Sequence, residues 1–165
     1  MFNIINPKKI YEQLRVDSKE LINLIVKNGY KDEFITDKDK DWNCFLVYYH
    51  LLSIVYIKIK FKKGNNKAEK VAKKLVYESA IRLPNNFPIN IVVDVSSNII
   101  TKFVSTYKCS INSKDISFSN ELANSICNII SKEKLHSSKN NYDKLINELT
   151  KYIEDKMFEY DILIK

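Results

Sequence analysis

The chain has 165 residues and carries 27 Lys and Arg against 20 Asp and Glu, a formal net charge of +7. This length fits one domain, residues 1–165, with a helical core. The basic excess favours an anionic partner: nucleic acid, an acidic protein or an anionic membrane surface. Cys44, Cys109 and Cys127 lie too far apart for a zinc-binding pair, and the N-terminal residues lack the apolar stretch of a signal peptide.

Helical patterns dominate the first part of the chain. Asn6-Pro7 is typical of a helix N-cap followed by proline, and Asp17-Ser18 is a second start signal for a helix that ends at Asn28-Gly29. Residues 42–56 are apolar on nearly all sides, which predicts a buried helix rather than a membrane span. Residues 56–62 alternate apolar side chains with lysines, as strands do, but lysines also suit a helix C-terminus. We favour a helix there.

A β-hairpin is predicted after a short helix over 65–74. Residues 76–83 and 88–95 are rich in β-branched side chains and predict two strands. Between them, Pro84, Asn85, Asn86 and Phe87 are typical of a tight turn. The hairpin arm is therefore expected over residues 76–95.

Helical spacing returns in the last third of the chain. Ser96-Ser97 is expected to cap one helix, residues 117–119 start a second with a clear apolar face, and residues 141–143 start a third. Neither internal repeats nor a linker between domains is evident. The predicted fold is mainly α: a bundle of about six helices with a protruding two-stranded β-hairpin arm.

Catalytic chemistry finds little support in the sequence. His50 lies in an apolar run and is expected to be a core histidine. The alternating Asp37, Asp39 and Asp41 lack the glycine and the distal glutamate of a calcium loop. We therefore expect no enzyme activity, no cofactor and no metal.

Lysines are concentrated over residues 60–74, beside the base of the expected hairpin. Lysines can neutralise phosphates and give salt-dependent affinity for nucleic acid. The alternative is an ordinary solvated surface in a lysine-rich chain. The position of the cluster favours binding.

Four segments, in order along the chain, carry a resemblance to a known family: residues 21–31, 69–79, 92–96 and 117–126. Together they resemble ribosomal protein S7 of the small subunit, including its first long helix, the entry and return of its hairpin, and a later helix that opens with serine. The resemblance implies a structural constituent of the small ribosomal subunit that binds rRNA in the head (3′ major domain). It also implies neighbouring head proteins, mRNA and E-site tRNA as partners.

The resemblance and the charge pattern imply specific contact residues. The expected rRNA-binding residues are Lys8, Lys9, Lys31, Lys73, Lys74, Arg82, Lys102, Lys108, Lys114 and Lys139. The hairpin tip, Pro84, Asn85, Asn86 and Phe87, is expected to face mRNA or tRNA. The chain departs from the family in its single hairpin arginine, Arg82, and in its turn, which lacks paired glycines. These departures suggest a divergent mitochondrial protein made inside the organelle, with a plastid-type or bacterial ribosome as the alternative.

Two other classes of function remain open. A helical regulator, such as a viral Bcl-2-like protein, would hold a partner helix in an apolar groove, with residues 44–56 as its central helix. Such a bundle has no β-hairpin at residues 76–95, so that segment discriminates between the hypotheses. A free-standing RNA-binding protein would share the basic surface without belonging to a ribosome. No membrane partner is expected.

Overall fold

The computed structural model describes residues 5–25, 27, 37–82, 88–131 and 139–165, with the backbone alone at 37–41, 129–131 and 139–141. The described residues form six helices and no strand: α1 (Pro7–Ile25), α2 (Asp37–Lys63), α3 (Asn65–Arg82), α4 (Ile89–Asn112), α5 (Phe118–Ser131) and α6 (Lys139–Ile164). The prediction of a mainly α bundle is confirmed.

Helix α2 is the centre of the bundle, and the other five helices all pack against it. Tyr49, Leu52 and Ile59 are fully enclosed, which confirms the predicted buried helix. The segment Trp42–Lys63 is long and apolar enough to cross a membrane, but 72% of its most apolar window is buried inside the bundle. The helix continues to Lys63, so the preferred helix over 56–62 is also confirmed. Gly64 follows with a φ of +93° and ends the helix.

The predicted break within the first helical region is wrong. Asp17 and Ser18 lie inside α1 and are buried. Ser18 Oγ donates to the Leu14 carbonyl oxygen at 2.6 Å. The Asp17 carboxylate contacts α6 instead, since it accepts from Tyr160 Oη at 2.8 Å and from Lys156 Nζ at 3.2 Å. Both side chains therefore find their partners without ending the helix.

The prediction of a β-hairpin arm is wrong for residues 76–82, which belong to α3, and for residues 89–95, which belong to α4. Its expected tip, residues 84–87, lies outside the described residues. Burial has the spacing of a helix around both predicted strands, because the buried residues are four positions apart. Leu75 and Ser79 are buried on α3, and Val92 and Ser96 on α4. Packing of these faces on α2 outweighs the strand preference of the β-branched side chains.

The starts of α1, α3, α5 and α6 were predicted closely, with α3 beginning at Asn65 as expected, and the start of α4 was not. Asn6 Oδ1 accepts from the backbone N–H of Lys8 at 3.1 Å and caps α1 as expected. Ser117 Oγ likewise accepts from the Asn120 N–H at 3.2 Å at the start of α5, and α6 begins two residues before the expected range. Helix α4, however, begins at Ile89, so Ser96 lies inside it and donates to the Val93 carbonyl oxygen at 2.9 Å.

Candidate functional site

An open groove runs between α3 and α4 and has the C-terminal half of α2 as part of its lining. We call it the α3–α4 groove; its volume is about 450 Å³. The lining residues come from three helices: Tyr56, Lys60, Glu69, Ala72, Lys73, Val76, Tyr77, Ile89, Val93, Ser96, Ser97, Ile100, Thr101 and Val104. At 1.5 Å per residue, the α4 wall from Ile89 to Val104 extends about 22 Å.

Helical periodicity explains how α4 provides one wall. Ile89, Val93, Ile100 and Val104 recur at spacings of about one or two turns and therefore share a face. Ser96 lies on the same face and is small, so it leaves room between the larger side chains. The larger side chains of this wall are therefore apolar, and the hydroxyls of Ser97 and Thr101 lie among them.

Several apolar side chains of the groove are exposed to solvent. Tyr77 is 57% exposed, Ile89 54% and Val93 47%. Scattered exposed apolar residues are common on protein surfaces, but these three line one concave site. The site can therefore bury apolar surface of another molecule.

The charged residues of the groove and the Tyr56 hydroxyl lie at its α2 side and along α3. Tyr56 Oη donates to Glu69 Oε1 at 2.6 Å, and burial together with this carboxylate raises the pKa of Tyr56 to about 12. Lys60 and Lys73 add two positive charges to the lining, against the single carboxylate of Glu69. The groove thus combines an apolar wall with a net positive edge.

A second surface lies along α1 and the C-terminal part of α3. It consists of two cavities of about 510 and 470 Å³ that share Tyr11 and Arg82. We call it the α1–α3 seam. Its charged residues are five basic side chains and two carboxylates: Lys8, Arg15, Lys19, Lys74, Arg82, Glu12 and Glu78.

Both arginines of the chain converge on one carboxylate in the seam. Arg15 Nη2 lies 3.2 Å from Glu12 Oε2, and Arg82 Nη1 lies 3.5 Å from Glu12 Oε1. The Arg82 guanidinium also stacks over the Tyr11 ring at 4.9 Å. The pairing was not visible in the sequence, because residues 15 and 82 belong to different helices.

The structure brings together some of the expected rRNA-binding residues. Lys8, Lys74 and Arg82 line one cavity of the seam, whereas Lys73 lines the groove. The exposed side chains of Lys9, Lys102, Lys108 and Lys114 belong to neither surface. Lys31 and the tip residues 84–87 lie outside the described residues, as does the side chain of Lys139.

The expected core histidine is confirmed. His50 is 1% exposed, and its Nδ1 lies 2.7 Å from the Leu46 carbonyl oxygen. Because a carbonyl only accepts, Nδ1 carries the proton, and Nε2 accepts from Ser125 Oγ at 3.0 Å. Burial lowers the pKa of His50 to about 4, so the ring is neutral at neutral pH.

The described residues contain no group of three or more His, Cys, Asp or Glu placed to hold a metal ion. Burial also raises the pKa of the Cys127 thiol to about 12, which keeps it protonated and weakly nucleophilic. The distinctive features of the described surface are the groove and the seam, and both are suited to binding.

Comparison with protein-family models, with curated proteins and with solved structures finds no match for this chain. The resemblance to the ribosomal family, with its implied partners and mitochondrial location, therefore stays a prediction.

Proposed function

We propose that this chain is a helix-binding protein that holds an amphipathic helix of a partner protein in the α3–α4 groove. The observation that carries the proposal is the exposed apolar lining of the groove, above all Tyr77, Ile89 and Val93. This is the function of the helical-regulator class, and the helical conformation of residues 76–82 and 89–95 favours that class over one with a hairpin arm.

A helix suits the groove better than the other common peptide conformations. An extended peptide needs a strand edge to pair with, and the described residues contain no strand. Proline-rich peptides need a groove lined by aromatic rings, whereas the apolar side chains of this lining are mostly aliphatic, with Tyr56 and Tyr77 as its rings. A helix satisfies its own backbone hydrogen bonds and can present an apolar stripe to the groove over three or four turns.

Charge indicates which kind of helix would bind. The chain has a net charge of +7, and Lys60 and Lys73 lie at the groove. A second copy of the same chain would bring the same positive charge and would be repelled. A partner helix with an apolar stripe and acidic flanking residues would complement both the lining and its edge.

Selection from a library of helix-forming peptides displayed on yeast tests the proposal. The full chain is the target, and the variant Val93→Glu, which places a charge in the groove, is the counter-target. Its matched control is Ile111→Glu, another exposed apolar residue of α4 outside the groove. We expect enriched peptides with apolar residues at i, i+3, i+4 and i+7 that bind the wild type and the control but not Val93→Glu. Enrichment of peptides that bind all three equally would overturn the proposal.

Binding of small-subunit rRNA is a second candidate, favoured by one observation: Lys8, Lys74 and Arg82 line a common cavity. Lysines and arginines that contact phosphates give an affinity that falls steeply as salt rises. Filter binding of small-subunit rRNA fragments at low and moderate salt tests it, with Lys8→Gln/Lys74→Gln as the variant. Tight, salt-dependent binding that this variant weakens would support the candidate, and a flat salt response would count against it.

A further inference from the structure

Tyr77 connects the two candidate surfaces. Its side chain lines the α3–α4 groove and also the cavity of the seam that contains Lys8, Lys74 and Arg82. A peptide that leaves the groove past Tyr77 therefore enters the seam. The seam is thus placed to bind the residues that flank a helix in the groove.

The placement of the arginines gives the seam its chemistry. The chain has 27 basic residues, and only Arg15 and Arg82 are arginine. Both line the same cavity. The guanidinium is a planar fork that binds a carboxylate through two parallel N–H···O bonds, which the ammonium of lysine cannot do.

Arg82 keeps donors available for a ligand. The contacts of Arg82 with Glu12 and Glu78 are 3.5 and 3.6 Å long, beyond the usual hydrogen-bond range, and its side chain is 48% exposed. Each guanidinium has five N–H donors. The contacts within the seam therefore leave most of the Arg82 donors unused.

Resting on the proposed function, we propose that the α1–α3 seam binds an acidic segment of the same partner, with Asp or Glu carboxylates of that segment on Arg15 and Arg82. Five basic side chains outnumber two carboxylates in the seam, which favours a negatively charged ligand. Glu12 and Glu78 interrupt the positive charge and would repel a continuous phosphate backbone. Separate carboxylates on a flexible peptide can avoid these two groups.

Reselection with an extended peptide tests this site separately from the groove. A helix that already binds the groove is displayed with six randomised positions at each end, and the library is selected against the full chain. We expect enrichment of Asp and Glu at one end only, and affinity roughly tenfold higher than that of the parent helix at low salt, as two partly exposed ion pairs would give. Acidic residues enriched equally at both ends, or at neither, would overturn the assignment.

Two variants of the seam and one control variant then distinguish the bidentate geometry of arginine from its charge alone. Arg15→Gln/Arg82→Gln is expected to bind the extended peptide no more tightly than the parent helix, and to bind the parent helix as the wild type does. Arg15→Lys/Arg82→Lys keeps the charge and should recover only part of the gain. Lys108→Gln/Lys114→Gln, the matched control at exposed basic residues elsewhere, should keep all of it.

Glu12→Gln is expected to change the affinity for the acidic extension in the opposite direction. Because Glu12 competes for both arginines, its neutralisation should strengthen binding of the acidic extension several-fold and leave the parent helix unaffected. If Glu12→Gln and the arginine variants leave the extension's affinity unchanged, the seam does not bind it. If a single-stranded oligonucleotide displaces the extension at equal concentration, the seam is a nucleic-acid site and the proposal is overturned. In both cases the groove-binding function would still stand.

Discussion

Helices α2 and α4 are both rich in β-branched and aromatic residues, yet they bury them differently. Nearly every side chain of α2 from Phe45 to Ile57 is buried against the surrounding helices. In the first half of α4, Val92 is buried whereas Ile89, Ile91 and Val93 are exposed. Burial of the α2 residues stabilises the fold, whereas the exposed Ile89 and Val93 of α4 line the groove that we propose a partner helix covers. Substitutions in the interior should therefore reduce stability, whereas substitutions in the groove should reduce binding.

The largest loss of stability is expected at the buried ion pair between α1 and α6. Burial lowers the pKa of Lys156, but its contacts with Glu159 and Asp17 more than offset this and raise the pKa overall. Asp17→Leu would leave the Tyr160 hydroxyl without its buried acceptor and would leave Lys156 with the half-exposed Glu159 as its remaining carboxylate partner. We expect a loss of about 4 kcal/mol in the free energy of unfolding by urea denaturation.

The triple variant Asp17→Leu/Lys156→Met/Tyr160→Phe is the control for this prediction. It removes the Lys156 and Tyr160 donors together with the carboxylate and leaves Gln13 Nε2, the third donor to Asp17, as the one group without its acceptor, so most of the stability should return. If Asp17→Leu alone were neutral, the pair would be dispensable and the interior would depend less on polar contacts than we infer.

A slightly smaller loss is expected at the centre of α2. Leu52 is fully enclosed, and Leu52→Ala should reduce the free energy of unfolding by about 3.5 kcal/mol through lost burial and a residual cavity. Ile111→Ala is the matched control on α4, since Ile111 is exposed, and should change stability by less than about 0.5 kcal/mol. Equal losses of stability at the two positions would contradict the claim that buried apolar residues stabilise the fold more than exposed ones do.

Acidification tests the interior of α2 through His50. The folded pKa of about 4 lies below the unfolded value of 6.5, so the unfolded chain binds a proton first as the pH falls. The contribution of the neutral His50 ring to the free energy of unfolding is complete above pH 6.5 and is lost progressively down to about pH 4. The difference amounts to roughly 3 kcal/mol in the free energy of unfolding. Urea denaturation of wild type and His50→Gln across this range should show a shallower pH dependence for the variant, and parallel curves would contradict the burial of a neutral ring.

The smallest effect on stability is expected in the groove. Val93 is 47% exposed, so Val93→Glu should change the free energy of unfolding by no more than about 0.5 kcal/mol. The same substitution should abolish binding of a groove-selected helix, as measured by isothermal titration calorimetry. A large loss of stability would mean that Val93 belongs to the core, and unchanged binding would exclude it from the partner site.

The sequence predicts the elements whose signals are local. The Asn6-Pro7 start, the Ser117 start and the apolar α2 are examples, because cap residues and continuous apolar runs act within a few positions. The hairpin prediction is wrong at residues 76–82 and 89–95 because their β-branched side chains favour strands in isolation, whereas packing against α2 stabilises helices. Asp17 was assigned to a helix start because its partners, Lys156 and Tyr160, are far away in the chain.

The candidate surfaces depend on contacts that no local pattern contains. The groove is lined by three helices, and the seam unites Arg15 with Arg82 across two. The scarcity of arginine was visible in the composition. Only the structure shows that both arginines contact the same carboxylate, that of Glu12.

Methyl NMR of the full chain during titration with the selected helix tests the central claim most directly. We expect the methyl signals of Ile89, Val93, Ile100 and Val104 to shift, while those of Ile111 and Ile162, which are exposed elsewhere, stay in place. Shifts confined to Ile111 or Ile162, with the groove methyl signals unchanged, would contradict the assignment of the α3–α4 groove as the partner site.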